Sequence, residues 1–481
     1  MELIEMGYEK SGVLVVDLDG TLIKTDTLVE SGLDFVHRNP LNLFRLPGWL
    51  MSGKAALKQQ LASHSDLNFS GLPYNIEVLR LIDEARSQGG RIVLASACDI
   101  KIANGVAEYL GVFDDVFASD GVTNLSAANK RDALVARYGE QGFDYVGNSA
   151  DDLLVWKAAR NAILVETPKR VAEKAKAHGN VVLSLQSSAS VLSPLLKSLR
   201  PHQWAKNMLI FVPLLAAHAF DYVSVVSAVL AAICFCFLAS GTYLINDLLD
   251  IQDDRSHPSK RTRPFAAATL SPMAGLLASV GLIAAGIAIA FAMLPLLFVY
   301  SLFAYLVITL CYSLTIKSVM ALDVITLTVL YTLRIVAGSL AISLAPTFWV
   351  LTFSLFIFLS LALVKRYAEL YDARQKGRTE KSAGRGYYPS DLEVVSQMGV
   401  ANGFMSILFF ALYIQDANTI RLYSMPEALW LVCPVLLFWI CRLWLITHRG
   451  QMHDDPVVFA IKDKVSLVSI ALIGVVFLVA L

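Results

Sequence analysis

Charge is scarce in this chain. Only 17% of its 481 residues are Asp, Glu, Lys or Arg, against 56% hydrophobic ones, and 40 Lys+Arg face 40 Asp+Glu. So low a charged fraction excludes an ordinary soluble protein and a disordered chain, and the even balance excludes nucleic acid recognised through a basic patch. Cysteine is scarce too. Cys98 alone falls in the front part, and Cys234, Cys236, Cys311, Cys433 and Cys441 lie in or beside apolar runs with no CxxC or pairing pattern, which suits packing roles in a reducing compartment. The opening MELIEMGYEKSG lacks the basic start, apolar core and small-residue cleavage site of a signal peptide, so the front domain is expected in the cytosol.

Long apolar runs are missing from the front of the chain and dominate the rest. Up to about residue 195, apolar and charged runs alternate as in a soluble α/β domain. Beyond Trp204 come about nine apolar segments, near 205–221, 223–248, 271–292, 295–315, 321–343, 347–368, 397–416, 427–446 and 465–481, each long enough to cross a bilayer. The connections near 250–270, 314–322, 365–390 and 442–464 hold about sixteen Lys and Arg, and the other four hold roughly one, Arg421. A multi-pass protein of the cytoplasmic membrane is expected, with its basic loops and front domain in the cytosol and its C-terminus on the opposite face.

In the front domain, SGVLVVDLDGT is an apolar run that ends in Asp17 and Asp19, which reads as a buried parallel strand entering a loop. Ligands of open α/β sheets gather at such strand ends, and two carboxylates so close repel unless they share a cation or proton. RIVLAS ends a second strand in Ser96, Lys130 opens a helix, and YVGNSADD ends a third strand in Gly, Asn and acids. In this order the segments resemble the four motifs of the haloacid dehalogenase (HAD) superfamily of phosphatases, over about residues 11–168. The resemblance implies an α/β Rossmann-like domain, residues 1–168, with a small helical cap over about 26–73. It implies Asp17 as nucleophile, Asp19 as general acid and base, and Thr21, Ser96 and Lys130 as holders of the phosphoryl group. Mg²⁺ would be held by Asp17, Asp19, Asn148 and Asp152. Asn148 stands where the family usually has Asp, which removes one charge from the metal set. Within the insert, FRLPGWLM also suits a membrane surface. Residues 169–194 read as a linker, a short helix and strand followed by the flexible SSAS run.

In the membrane half, residues 195–481, the second apolar segment ends YLINDLLDIQDDRSHPSKRTRP. Asn246, Asp247, Asp250 and Asp254 are spaced by three and four, so a helix presents all four on one face. Carboxylates clustered beside an apolar span call for a cation, and Mg²⁺ carrying a diphosphate suits them. Arg255, Lys260, Arg261 and Arg263 follow, placed to meet phosphate oxygens. Lys317, Asp323, Lys365, Arg366 and Glu369 recur at later helix ends, and Arg334, alone among apolar neighbours, is expected to face an internal cavity.

NDxxDxxxD with about nine spans resembles the UbiA superfamily of membrane-embedded prenyltransferases. LRPHQWAKN, DRSHPSKRTRP, YSLTIKS and LDV are most similar to its polyprenyl-phosphate phosphoribosyltransferase branch. The resemblance implies an all-α transmembrane bundle in which Asp247, Asp250 and Asp254 hold Mg²⁺ on the diphosphate of phosphoribosyl pyrophosphate and Asn246 orients them. Lys260, Arg263, Lys317, Arg334, Lys365 and Arg366 would grip phosphates while the phosphate of a polyprenyl phosphate lipid attacks the ribose. The front domain would then remove the 5-phosphate of the product. Two alternatives remain: an isoprenoid diphosphate transferred to an aromatic acceptor, and a membrane scaffold with an inert HAD-like domain.

Overall fold

The computed structural model describes residues 12–186, 192–258, 260–380, 385–452 and 455–481; the opening segment and the SSAS run lie outside them. Two compact units form, Met1–Ser198 with Ile245–Leu277, and Leu199–Leu244 with Ala278–Leu481.

The first unit is built on six strands: β1 (Val13–Val16), β2 (Arg91–Asp99), β3 (Asp115–Ser119), β4 (Phe143–Gly147), β5 (Ala162–Val165) and β6 (Val181–Leu185). They pair in the order β3-β2-β1-β4-β5-β6, and every pairing is parallel. Both faces are covered, which is why the strands read as continuous apolar runs. Leu14, Val16, Ile92 and Leu94 pack in one core, and Val15, Val93, Ala95 and Tyr145 in another. The strand order reverses between β1 and β4, so their carboxyl ends open a crevice. Asp17 directly follows β1, and Asn148 directly follows β4. The short helix and strand expected in the linker are present as Lys169–Lys176 and β6, and β6 joins the sheet beyond residue 168.

The insert after β1 is helical. Helix α1 (Thr27–Arg38) is started by the Asp26 carboxylate, which accepts from Leu28 N and Val29 N, and α2 (Lys54–His64) follows two short turns. Between them Phe44 and Met51 are 79% and 90% exposed, and Leu43 and Leu50 are exposed as well. Helix α3 (Ala127–Tyr138) precedes β4.

The second unit is a bundle of long apolar helices, and the protein is a multi-pass membrane protein. Among the described residues seven helices can cross a membrane by length and composition, or up to eight if the pair Pro456–Lys462 and Lys464–Ala480, bent by 81°, forms one span. They include α4 (Tyr222–Leu249), which ends in the first unit, and, after α5 (Ile251–Ser256) of that unit, α6 (Pro272–Met293), α7 (Leu296–Leu314), α8 (Leu322–Ala341) and α9 (Phe348–Gln375).

The expected count of nine departs from the structure at the first segment. Residues 205–221 do not form a long helix: they belong to a 3₁₀ run, Pro201–Phe211, and a short helix, Val212–Ala216. Pro201 and Pro213 have no N–H to donate, and the side chains of Lys206 and Asn207 are bound to protein partners. Average hydropathy does not register such partners.

Candidate active sites

The first site is assembled at the reversal of the sheet. The Asp17 N–H donates to Val146 O over 3.0 Å, which ties the residue to the end of β4. Lys130, on the first turn of α3, donates from Nζ to Asp17 Oδ1 and to the Tyr145 hydroxyl, each over 2.9 Å, and lies 3.5 Å from Asp152 Oδ1. Asp19 accepts from Thr27 N over 2.7 Å at the start of α1.

Gly20 has φ +73°, and a Cβ there would lie 2.0 Å from Asn148 Nδ2, so the amide of Asn148 packs directly on the turn between Asp17 and Thr21. Ser96 is buried within β2, where its Oγ accepts from Cys98 N. Thr21 Oγ1 is buried and makes no hydrogen bond to the described residues. Asp152 is heavily engaged: Oδ2 accepts from Asn148 N, Ser149 N and Ser149 Oγ within 3.0 Å, and Oδ1 from the Tyr145 hydroxyl over 2.7 Å. It orients the loop that carries Asn148.

Burial pushes the Asp17 carboxyl up to about 6, against the pull of Lys130, and burial with the neighbouring Asp26 carboxylate pushes Asp19 to about 7. Burial also opposes the charge on Lys130, but Asp17 and Asp152 outweigh it and hold the ammonium protonated. Two carboxylates taken out of water this way, beside a buried hydroxyl with no hydrogen-bond partner among the described residues, fit a divalent cation and a phosphoryl group.

The second candidate site lies on the acidic segment between α4 and α6. Arg263 Nη1 bridges Asp247 Oδ1 at 3.2 Å and Asp254 Oδ2 at 2.7 Å, and Lys260 Nζ lies 4.0 Å from Asp254. Asn246 Nδ2 donates to Asp250 Oδ2 over 2.9 Å. Asp247 and Asp254 are buried, and burial raises the Asp254 carboxyl against the pull of Arg263. Three carboxylates and an amide within two turns suit a hard cation, and Arg263 occupies the place of a positive charge between two of them. Arg255, expected to meet phosphate, is bound to Glu30 instead.

The second unit holds a separate group of cations, Arg334 and Lys206 buried and Lys365 partly exposed. Arg334 of α8 donates from Nε to Asn207 Oδ1 and from Nη2 to the Tyr305 hydroxyl, both over 3.0 Å, and its guanidinium stacks over the Tyr305 and Tyr331 rings. Lys206 Nζ lies 2.8 Å and Lys365 Nζ 3.8 Å from Asp455 Oδ2. Burial disfavours the charged Asp455, but the two lysines outweigh it and hold its carboxyl below the usual range. Arg366 is engaged elsewhere, paired with Asp323 and Glu369, while Tyr387 donates to Asp323 over 2.8 Å. Lys317 sits in the turn Ile316–Ser318.

Several contributors were given no role of their own by the sequence. Tyr145 joins Lys130 to Asp152. Lys58 of α2 donates to Ala97 O over 2.6 Å and to Asn124 Oδ1 over 2.8 Å, bringing an ammonium from the insert beside the residue that follows Ser96. Lys206, Asn207, Tyr305 and Asp455 complete the surroundings of Arg334 and Lys365.

Comparison with known proteins places this geometry in context. The model of the UbiA prenyltransferase family matches residues 207–478. The uncharacterized protein y4nM of Sinorhizobium fredii is 38% identical over 98% of this chain and 92% of its own length. The nodulation protein NoeC of Azorhizobium caulinodans is 36% identical over 58% of this chain and 91% of its own length. Decaprenyl-phosphate phosphoribosyltransferase of Mycolicibacterium smegmatis is 30% identical over 57% of this chain and 88% of that protein.

Proposed function

The chain belongs to the UbiA prenyltransferase family, and from that premise we propose that it transfers 5-phosphoribose from phosphoribosyl pyrophosphate to a polyprenyl phosphate. The observation that carries this reading is the convergence of Asp247 and Asp254 on one guanidinium, that of Arg263, with Lys260 beside them. The phosphoribosyltransferase relative supports the choice of donor.

In this reading Asp247, Asp250 and Asp254 hold Mg²⁺, which when bound neutralises charge on the diphosphate and eases its departure. Asn246 keeps Asp250 oriented through its amide. Arg263 and Lys260 meet the diphosphate oxygens, the guanidinium offering a bidentate contact. A lipid phosphate oxygen forms the bond to the anomeric carbon as the bond from that carbon to pyrophosphate breaks. Lys206, Lys317, Arg334 and Lys365 supply further cations for phosphate, whereas Arg366, paired with Asp323, serves mainly to hold α8 to α9.

The α/β domain is read as a HAD-type phosphatase with the insert at 26–73 as its cap. Asp17 attacks phosphorus, and Asp19, protonated up to about pH 7 before a cation binds, gives its proton to the leaving oxygen and later takes one from water. Thr21, Ser96 and Lys130 hold the phosphoryl oxygens. Asp17, Asp19 and Asn148 provide the Mg²⁺ donors, while Asp152 acts through the Asn148 loop. Its substrate would be the terminal 5-phosphate of the lipid-linked product. The basic loops support a cytosolic face for both activities. Incubating the purified chain with phosphoribosyl pyrophosphate and polyprenyl phosphate tests the assignment: a lipid-linked pentose lacking its 5-phosphate is expected, and a product that retains it removes the phosphatase step.

A further inference from the structure

The first unit contains both the insert after β1 and the acidic segment Ile245–Leu277, and charged groups join them. Glu30 of α1 is fully buried, and its two oxygens accept from Arg255 Nη1 and Nη2 over 3.0 and 2.6 Å. Arg255 Nε donates to Ala266 O over 3.3 Å, so one guanidinium ties α5 both to α1 and to the chain that follows Arg263. Two turns further along α1, His37 Nδ1 is 3.8 Å from Asp250 Oδ1, and His37 Nε2 is 3.9 Å from Asp253 Oδ2. Asn68 N reaches Gln252 Oε1 over 3.4 Å.

Glu30 and His37 are seven residues apart, so α1 presents both on one face. Neither side chain takes part in the contacts around Asp17. Helix α5 has six residues, too few to hold its shape alone, so its position is set by what it packs on. Arg255 without Glu30 would be a strong cation beside the Asp250, Asp253 and Asp254 carboxylates, where it would compete with any metal.

We propose that Glu30 and His37 are positioning residues for the acidic segment: by holding Arg255 and flanking Asp250, the insert of the N-terminal domain sets the cation affinity of the Asp247, Asp250 and Asp254 site. The proposal rests on the reading of those three aspartates as metal ligands. It makes the transferase step depend on a helix supplied by the other catalytic domain.

The test measures Mn²⁺ binding by electron paramagnetic resonance on the full chain in lipid nanodiscs, with Asp17→Asn as the background that silences the strand-end site. Adding Glu30→Gln is expected to weaken Mn²⁺ binding by about tenfold or more, and the milder, partly exposed His37→Gln by about threefold. The exchange Glu30→Arg with Arg255→Glu is expected to recover most of the loss, which a general loss of folding would not allow. Parental affinity in both Glu30→Gln and His37→Gln overturns the proposal while leaving the metal reading intact. If the Asp17→Asn chain binds no Mn²⁺, the metal reading itself fails and the proposal with it.

Discussion

Arg263 Nη1 lies 2.7 Å from Asp254 Oδ2 and reaches Asp247 with the same nitrogen. A guanidinium there stabilises the acids and competes with the metal they are read to hold. Arg263→Ala should therefore lower the Mg²⁺ concentration giving half-maximal pyrophosphate release, because a competing cation is gone. It should also raise KM for phosphoribosyl pyrophosphate by about tenfold to a hundredfold, the value of one charge-assisted contact. Initial rates over a matrix of Mg²⁺ and donor concentrations separate the two effects, and a Mg²⁺ requirement that rises would contradict this role.

Asp17 should be indispensable for phosphate release and irrelevant to pyrophosphate release. Asp17→Asn is expected to abolish the first and leave the second at the parental rate. Assaying both products from the same preparation checks this.

Lys130 faces two buried carboxylates, Asp17 and Asp152. Lys130→Met leaves those charges without a cation and should cost the α/β domain about 3–5 kcal/mol. Thermal unfolding should show the loss, and Mg²⁺ should recover part of it by taking the place of the ammonium.

The raised carboxyls give stability a definite pH dependence. Asp17 and Asp19 hold protons up to about 6 and about 7 in the folded chain, against 3.8 for an unperturbed carboxyl. The folded state therefore binds more protons than the unfolded state across that window, and their stabilising contribution, full below pH 4, is lost as pH rises towards 7. In chelator, the unfolding midpoint of the α/β domain should fall over this range, and added Mg²⁺ should raise it more at pH 8 than at pH 5. Asp17→Asn with Asp19→Asn should flatten both trends.

Arg334 holds Asn207, Tyr305 and the Leu330 carbonyl at once. Arg334→Lys keeps the charge but reaches fewer of these partners, and each polar group left buried without one costs about 1–3 kcal/mol. A lower unfolding temperature in nanodiscs, without loss of membrane insertion, is the expected result.

Much of this arrangement was legible because its signals are local. A parallel strand covered on both faces is an unbroken apolar run, so VLVV before Asp17 announced a strand and its end, and RIVLAS announced a second strand, which runs past Ser96 to Asp99 instead of ending there. Arg334 stood out as a lone charge among apolar residues, and the structure surrounds it with Asn207 and two tyrosines. Pairings across long separations left no such trace. Glu30 and Arg255 are 225 positions apart, and nothing in either neighbourhood marks them as partners. The same blindness made Arg366 look like a phosphate ligand when Asp323 takes it, and made residues 205–221 look like a membrane span when Lys206 and Asn207 are bound to Asp455 and Arg334.

The central claim is the identity of the donor, and donor consumption tests it most directly. The purified chain in nanodiscs, with Mg²⁺ and polyprenyl phosphate, should release pyrophosphate from phosphoribosyl pyrophosphate and move the labelled pentose into lipid, with Asp254→Asn inactive. An untouched phosphoribosyl pyrophosphate pool, with an isoprenoid diphosphate consumed in its place when an aromatic acceptor is present, would contradict the account.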